Sequence, residues 1–164
     1  MVEKYTAYYK SKIGYIKILS TKSNILSVNF VKTKKGKNSD IRILKQCLKQ
    51  LDEYFRGHRR KFSVDIALYG TDFQKSVWRQ LQKIPFAHTV SYKDIARAIR
   101  NKNAVRAVGS ANNKNKIVII VPCHRVIGSD GKLVGYGGGL WRKKWLLSHE
   151  KNVRSTRYSR KPAG

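Results

Sequence analysis

At 164 residues, 41% of them hydrophobic, the chain has room for one ordinary domain or two small ones and enough apolar content to fold without disulfide staples. Its 36 Lys and Arg against 9 Asp and Glu give a net charge of +27, more than solubility asks of a small domain, so a polyanionic partner is the natural reading and a general lysine bias the bland one. No apolar run approaches the ~18 residues that span a bilayer and no signal-peptide pattern opens the chain, while Cys47 and Cys123 show no CxxC or zinc-finger spacing, which makes a cytoplasmic, reducing setting the expectation.

The chain opens on strand-like sequence. Residues 15–19, then Leu26, Val28 and Phe30, and later Phe62, Val64, Ile66 and Leu68, alternate with a period of two and predict half-buried strands of a small N-terminal sheet. Between them, Ile41, Leu44, Leu48, Leu51 and Phe55 recur at steps of three and four, marking an amphipathic helix that stops near Gly57, with Cys47 as inert packing inside it. Residues 32–39 form a Lys, Gly and Asn-rich loop. A domain break is placed near Gly70, dividing the chain into an N-terminal structural unit (1–70) and a C-terminal unit (71–150). The basic residues 151–164, nearly free of apolar side chains, read as a disordered tail.

Beyond Gly70, residues 73–84 predict a helix with Val77, Trp78, Leu81 and Ile84 inward, closed by Pro85. Ser91 caps a second helix through Arg100, with Asp94 at the capping-box position. A third helix over 103–113 follows after a short turn, which is the spacing of a helix-turn-helix. On that third helix Ala104, Val108 and Ala111 share one side, while Arg106, Gly109, Ser110 and Asn113 share the other. The second face is small and polar except for Arg106. It would let backbone approach a nucleic acid closely with one side chain projecting, although an exposed Arg on a helix is more often simply solvated.

The apolar, β-branched run 117–121 predicts a buried strand that ends at Pro122 and delivers Cys123 and His124 to its mouth. A free thiol is only a few per cent ionised at neutral pH, so a nucleophile needs a base and a positive field, which His124 and Arg125 supply. After residue 100 only Asp130 and Glu150 are acidic, and Glu150 is the candidate to fix the histidine tautomer. The alternative is a buried structural cysteine, since neighbouring side chains on extended backbone point oppositely.

Pro122-Cys123-His124-Arg125-Val126 resembles the acceptor signature of the O6-alkylguanine-DNA alkyltransferases, also called methylated-DNA–protein-cysteine methyltransferases. The resemblance extends over roughly 45–150, through Thr71-Asp72-Phe73-Gln74, Val77-Trp78, Ser91-Tyr92, Arg106-Ala107-Val108-Gly109, Asn115, Gly135-Tyr136-Gly137-Gly138 and Trp145-Leu146-Leu147 to His149-Glu150. It implies an α+β fold: a small, ribonuclease H-like N-terminal sheet with a helix, then a mostly helical C-terminal part with a winged helix-turn-helix.

It further implies that Cys123 accepts the alkyl group, His124 is its base through a bridging water, Glu150 orients His124, Asn115 supports the turn and Tyr92 bonds the guanine and donates a proton to it. Pro122, Val126, Tyr136 and Gly137 would wall the substrate pocket. Tyr92, Arg106, Ala107, Gly109 and Ser110 would meet DNA from the minor groove, with Arg106 filling the space left by a flipped base. Gly137 departs from relatives that carry serine there, which predicts altered pocket tolerance. The N-terminal cysteine and histidine ligands with which some relatives bind zinc are absent, so neither metal nor cofactor is expected.

The implied activity is a stoichiometric, irreversible transfer from O6-alkylguanine, and less well O4-alkylthymine, in double-stranded DNA, by a monomer. Two rivals are an alkyl-damage sensor of the same fold, which characteristically lacks the acceptor cysteine that this chain has, and a helix-turn-helix regulator using Cys123 as a redox switch.

Overall fold

The structure, a computed structural model, describes residues 2–159. Its first half is a three-stranded antiparallel sheet in the order β1 (Tyr5–Ser11), β2 (Gly14–Ser20), β3 (Ile25–Val31), covered by helix α1 (Arg42–Phe55). The alternation seen in the sequence is the pleat of these strands, with Ala7, Ile16, Ile18, Ile25 and Val28 buried against Leu44, Cys47 and Leu51 of α1. Gly57, at φ +78°, turns the chain out of α1, as the end signal in the sequence predicts.

The expected strand over 62–68 does not form. Only Ile66 makes a bridge, parallel to Ile25, through the Ile25 N–H to the Asp65 carbonyl (2.8 Å) and the Ala67 N–H to the Ile25 carbonyl (2.9 Å). The alternation there reflects one-sided burial of Val64 and its neighbours without a continuous partner strand.

Helices α2 (Asp72–Leu81), α3 (Tyr92–Ala98) and α4 (Val105–Asn113) follow, with α3 and α4 joined by a short turn as a helix-turn-helix. Thr71 with Gln74, and Ser91 with Asp94, both close full capping boxes; α3 starts where the sequence predicts, and α2 starts at Asp72, one residue before the expected Phe73. Helix α2 stops at Leu81, earlier than the expected end, and Ile84 reaches the core from the turn beyond it. Trp78 ties α2 to α4 by donating its indole N–H to the Ala111 carbonyl (2.8 Å), with Val108 and Ala111 buried beneath. Residues Val90–Ser91 (β4) pair in parallel with Val126–Ile127 (β5), which sets the chain after the cysteine beside the start of α3.

The run 117–121 is also not a strand. Ile117 alone bridges Val28 of β3, and the chain then coils, with Ile119 at φ +72°, Val121 N–H bonded back to the Ile117 carbonyl (2.9 Å) and Cys123 N–H to the Val121 carbonyl (2.8 Å). A β-branched apolar run is compatible with any buried backbone, and here the partners for an extended one end at Val28. Helix α5 (Leu140–Ser159) carries the chain past residue 150, so 151–159 are helical where a disordered tail is expected; Val153 packs on the core beside Gly57. Residues 160–164 of that tail lie outside the described residues.

Replacing Trp78 by Phe removes the bond to Ala111 and leaves a small cavity where the second ring of the indole packed, so a loss of about 2–3 kcal/mol is expected in urea unfolding. An unchanged midpoint would show that this bond does not hold α4 in place.

Candidate active site

The acceptor turn is built from the inside by Asn115. Its Nδ2 donates to the Val121 carbonyl (2.7 Å) and its Oδ1 accepts from the Ile117 N–H (3.0 Å), closing the coil that contains the left-handed Ile119. A left-handed β-branched residue costs on the order of 1–3 kcal/mol and persists only where its surroundings hold it. Residues Cys123–Arg125 then form one 3-10 turn. This curvature removes the objection that adjacent side chains on an extended backbone point to opposite faces.

His124 and Glu150 are both 0% exposed, and the His124 Nε2 lies 2.7 Å from Glu150 Oε2. A carboxylate flanked by cations can only accept, so Nε2 carries the proton and Nδ1 holds the free lone pair. Nδ1 is buried and has no hydrogen-bond partner among the described residues. Glu150 also accepts from Arg125 Nε (2.8 Å) and Nη2 (3.1 Å), the Tyr54 hydroxyl (2.6 Å) and the Ala87 N–H (3.0 Å). Burial pushes the Glu150 carboxyl up, but His124 and Arg125 outweigh it and hold the group well below the usual carboxylate range. Burial lowers His124 below its ordinary value, with Glu150 pulling the other way.

Cys123 is 3% exposed. Burial pushes its thiol up to about 11, while the Asn115 amide, the Lys143 ammonium and the backbone N–H groups of Cys123 and His124 pull it down. Cys47, which burial alone raises to about 12, has no such helpers. Lys143 is fully buried on α5; its Nζ donates to the carbonyls of Val134 (3.1 Å) and Gly135 (3.2 Å) and lies 3.5 Å from the Tyr92 hydroxyl. Burial brings its ammonium down to about 8.

A cavity of about 140 Å³ opens beside Cys123, lined also by Asn115, Val118, Tyr136, Gly137 and Gly138, by Asn112 and Asn113 at the end of α4, and by Asn29 and Phe30 of β3. The sequence reading thus finds Cys123, Asn115, Tyr136 and Gly137 together. Pro122 instead lines a separate groove with Arg125, and Val126 is buried in the β4–β5 pair; neither is among the residues that line this cavity. Tyr92 packs near Gly109, and its hydroxyl donates to the Val134 carbonyl (2.6 Å). Arg106, Ala107 and Ser110 are exposed on α4, and the face they share runs down the helix to Asn113 at the cavity.

Tyr54, Lys143 and Phe30 escaped the sequence reading as site residues, because they meet the site only across the fold. Arg125, expected there as a source of positive field for the thiol, binds Glu150 instead.

Two family descriptions cover nearly the whole chain: the 6-O-methylguanine DNA methyltransferase ribonuclease-like domain matches residues 4–68, and the DNA binding domain of the same methyltransferase matches 72–152. A methylated-DNA–protein-cysteine methyltransferase of Methanosarcina acetivorans is 45% identical over 154 residues, covering 89% of this chain and 97% of the relative. The crystal structure of the Mycobacterium tuberculosis O6-methylguanine methyltransferase superposes with a TM-score of 0.83 at 40% identity, covering 99% of this chain and 97% of the other. The M. tuberculosis protein solved in complex with DNA gives a TM-score of 0.82 at 41% identity, covering 92% and 93% of the two chains. With both halves matched in order and a relative of nearly equal length this similar, the chain belongs to the methylated-DNA–protein-cysteine methyltransferase family.

Proposed function

We propose that this protein repairs DNA by moving an alkyl group from O6-alkylguanine, and less readily O4-alkylthymine, onto Cys123, once per molecule. The observation that carries the reading is the free Nδ1 of His124, fixed by Glu150 one residue from a buried thiol that opens on a cavity. The relatives' names and the DNA complex of the M. tuberculosis protein support it. The two family matches, 4–68 and 72–152, support a division near Gly70 into a structural unit and a DNA-binding, acceptor unit.

In the resting protein the thiol is protonated and the imidazole neutral. On lesion binding, the proton of Cys123 passes through a bridging water to His124 Nδ1, and Glu150 stabilises the imidazolium. The sulfur attacks the alkyl carbon, the carbon–O6 bond breaks with its electron pair going to the oxygen, and the guanine ring takes a proton from the Tyr92 hydroxyl. The Lys143 ammonium beside that hydroxyl favours the phenolate left behind. A thioether does not hydrolyse, so the product is permanent.

The charge of +27 draws the protein to duplex DNA in a salt-dependent way. Arg106, Ala107, Gly109 and Ser110 on α4 meet the minor groove, and Arg106 occupies the space of the extruded nucleotide, offsetting a cost of a few kcal/mol. Pro122 and Val126 act through the backbone of the turn, Val126 by presenting its carbonyl to the base. Among the described residues no helix is long and apolar enough to cross a membrane, and a monomer acting in the cytoplasm fits the reading.

Intact-mass measurement after incubation with O6-methylguanine duplex should show one added alkyl group, mapped to Cys123. Cys123→Ala should lose the adduct and keep DNA binding; an adduct on Cys47, or none, would end the proposal. Arg106→Ala should slow repair in duplex DNA by roughly tenfold to a hundredfold and leave reaction with the free modified base nearly unchanged; equal losses in both assays would remove the base-flipping role.

A pH profile tests the base. In the wild type, transfer should hold from neutrality down past the ordinary histidine value of 6.5, because His124 resists protonation, and then fall as it gains a proton. His124→Gln should cost about 10²–10⁴ at neutral pH. Its remaining rate should climb with pH as the thiol, raised to about 11, ionises; a flat residual profile would contradict this assignment.

A further inference from the structure

We infer that the groove lined by Pro122 and Arg125 is a docking surface for a partner protein, taking from it an extended acidic peptide segment that carries apolar side chains. This surface is separate from the cavity beside Cys123, and its role does not depend on the alkyl-transfer reading.

The groove measures about 700 Å³, within the range of roughly 300–1,000 Å³ usual for ligand clefts. Part of its lining is the segment that alternates like a strand yet finds no continuous partner strand. Phe62, Val64 and Ile66 stand at steps of two and all line the groove, while Asp65 between them is exposed and outside the lining. The turn after α2 adds Ile84 and Pro85, and the acceptor coil adds Ile120. No lining residue lies on α3 or α4, so the groove is not part of the proposed DNA face. An apolar surface of this kind with a polar rim marks an interaction site.

Charge fixes the chemistry of the occupant. The lining includes Arg60, Lys61, Lys83 and Arg125 and no aspartate or glutamate. Arg125 is committed to Glu150, and Arg59 beside the groove to Glu53 and the Lys61 carbonyl. Arg60, Lys61 and Lys83 enter no ion pair among the described residues. The Arg60 guanidinium lies 5.4 Å from the Phe86 ring centroid, and its Nε is buried without an acceptor. A buried donor on a charged group is costly to leave unpaired, and a carboxylate is the acceptor whose two oxygens match a guanidinium.

The positive field continues beyond the groove. A shallower depression lined by Ser76, Arg79, Gln80 and Ile99 shares Gln82 and Lys83 with it and again holds no acidic side chain, so cations follow the path of an extended chain. Duplex DNA would bring phosphates to these cations but keep its bases stacked inside the helix, leaving Phe62, Ile66 and Ile120 uncovered. An acidic peptide with apolar residues satisfies both the cations and the apolar lining, which is why it is the occupant the groove favours.

The test selects a displayed library of random dodecapeptides on the full-length protein. Enriched peptides should carry Asp or Glu beside Leu, Ile, Phe or Trp. Made with a fluorescein label and titrated by anisotropy, they should bind Arg60→Ala and Lys83→Ala roughly tenfold more weakly than the wild type, with Arg60→Lys between. Lys83 is exposed on its turn, so that variant leaves the core untouched. Lys34→Ala, which removes the same charge from the exposed 32–39 loop, should bind as the wild type does. Equal weakening by Lys34→Ala would reduce the effect to bulk charge and overturn the docking surface. So would a library that enriches nothing, or enriches peptides without acidic residues. A duplex oligonucleotide that displaces the peptide and itself binds Arg60→Ala more weakly would assign the groove to DNA instead.

Discussion

The fold converges on one buried carboxylate. Glu150 receives bonds from His124, Arg125, Tyr54 and the Ala87 N–H, which come from the acceptor turn, from α1 and from the loop after α2, while Glu150 itself sits on α5. Taking a carboxylate out of water costs several kcal/mol, and the site recovers this only with every partner in position; removing one partner of such a pair typically costs about 3–5 kcal/mol. The same network therefore constrains assembly and chemistry: the halves must dock for Glu150 to be satisfied, and only then is the His124 ring fixed with Nε2 on the carboxylate and Nδ1 left unbonded. Ala87, at φ +63°, is strained backbone retained where its N–H meets the carboxylate.

A second constraint is the edge of β3. Its backbone groups pair with Ile66 near one end and with Ile117 further along, so one strand anchors both the segment leading out of the N-terminal half and the turn that carries Cys123. Edge strands left open invite unwanted pairing, and here the edge is used for docking. Because Phe30 follows Val28 by two residues on the same strand, the anchoring that sets the acceptor turn also sets a wall of its cavity. The N-terminal sheet thus does more than support the rest.

The electrostatic design separates attraction from reactivity. Excess positive charge outside brings a polyanion close from a distance, whereas the thiol is kept protonated by burial and assisted only by short-range donors such as Asn115 and by Lys143. A nucleophile used once gains from this arrangement, since a thiolate exposed in the resting state would be lost to oxidation or stray electrophiles.

What could be read without the fold was whatever is written in neighbouring residues. The capping pair of Ser91 with Asp94, the amphipathic stripe of α1, the outward face of α4 and the contiguous acceptor signature are local, so the sequence alone determined helices α1 to α4 to within a few residues, the helix-turn-helix spacing and the residues of the Cys, His, acid set, but not α5. Period and composition misled where burial was present without a strand partner, at 62–68 and 117–121, and where a basic segment was judged without its packing, at 151–159. Only the tertiary structure decided that Tyr54 and Ala87 would bind Glu150, that Lys143 would be buried among carbonyls, that Pro122 would line a separate groove and that Phe30 would line the cavity beside Cys123. Those contacts join residues as much as 96 positions apart, and no local period can encode a bond whose two ends meet only after the chain has closed on itself.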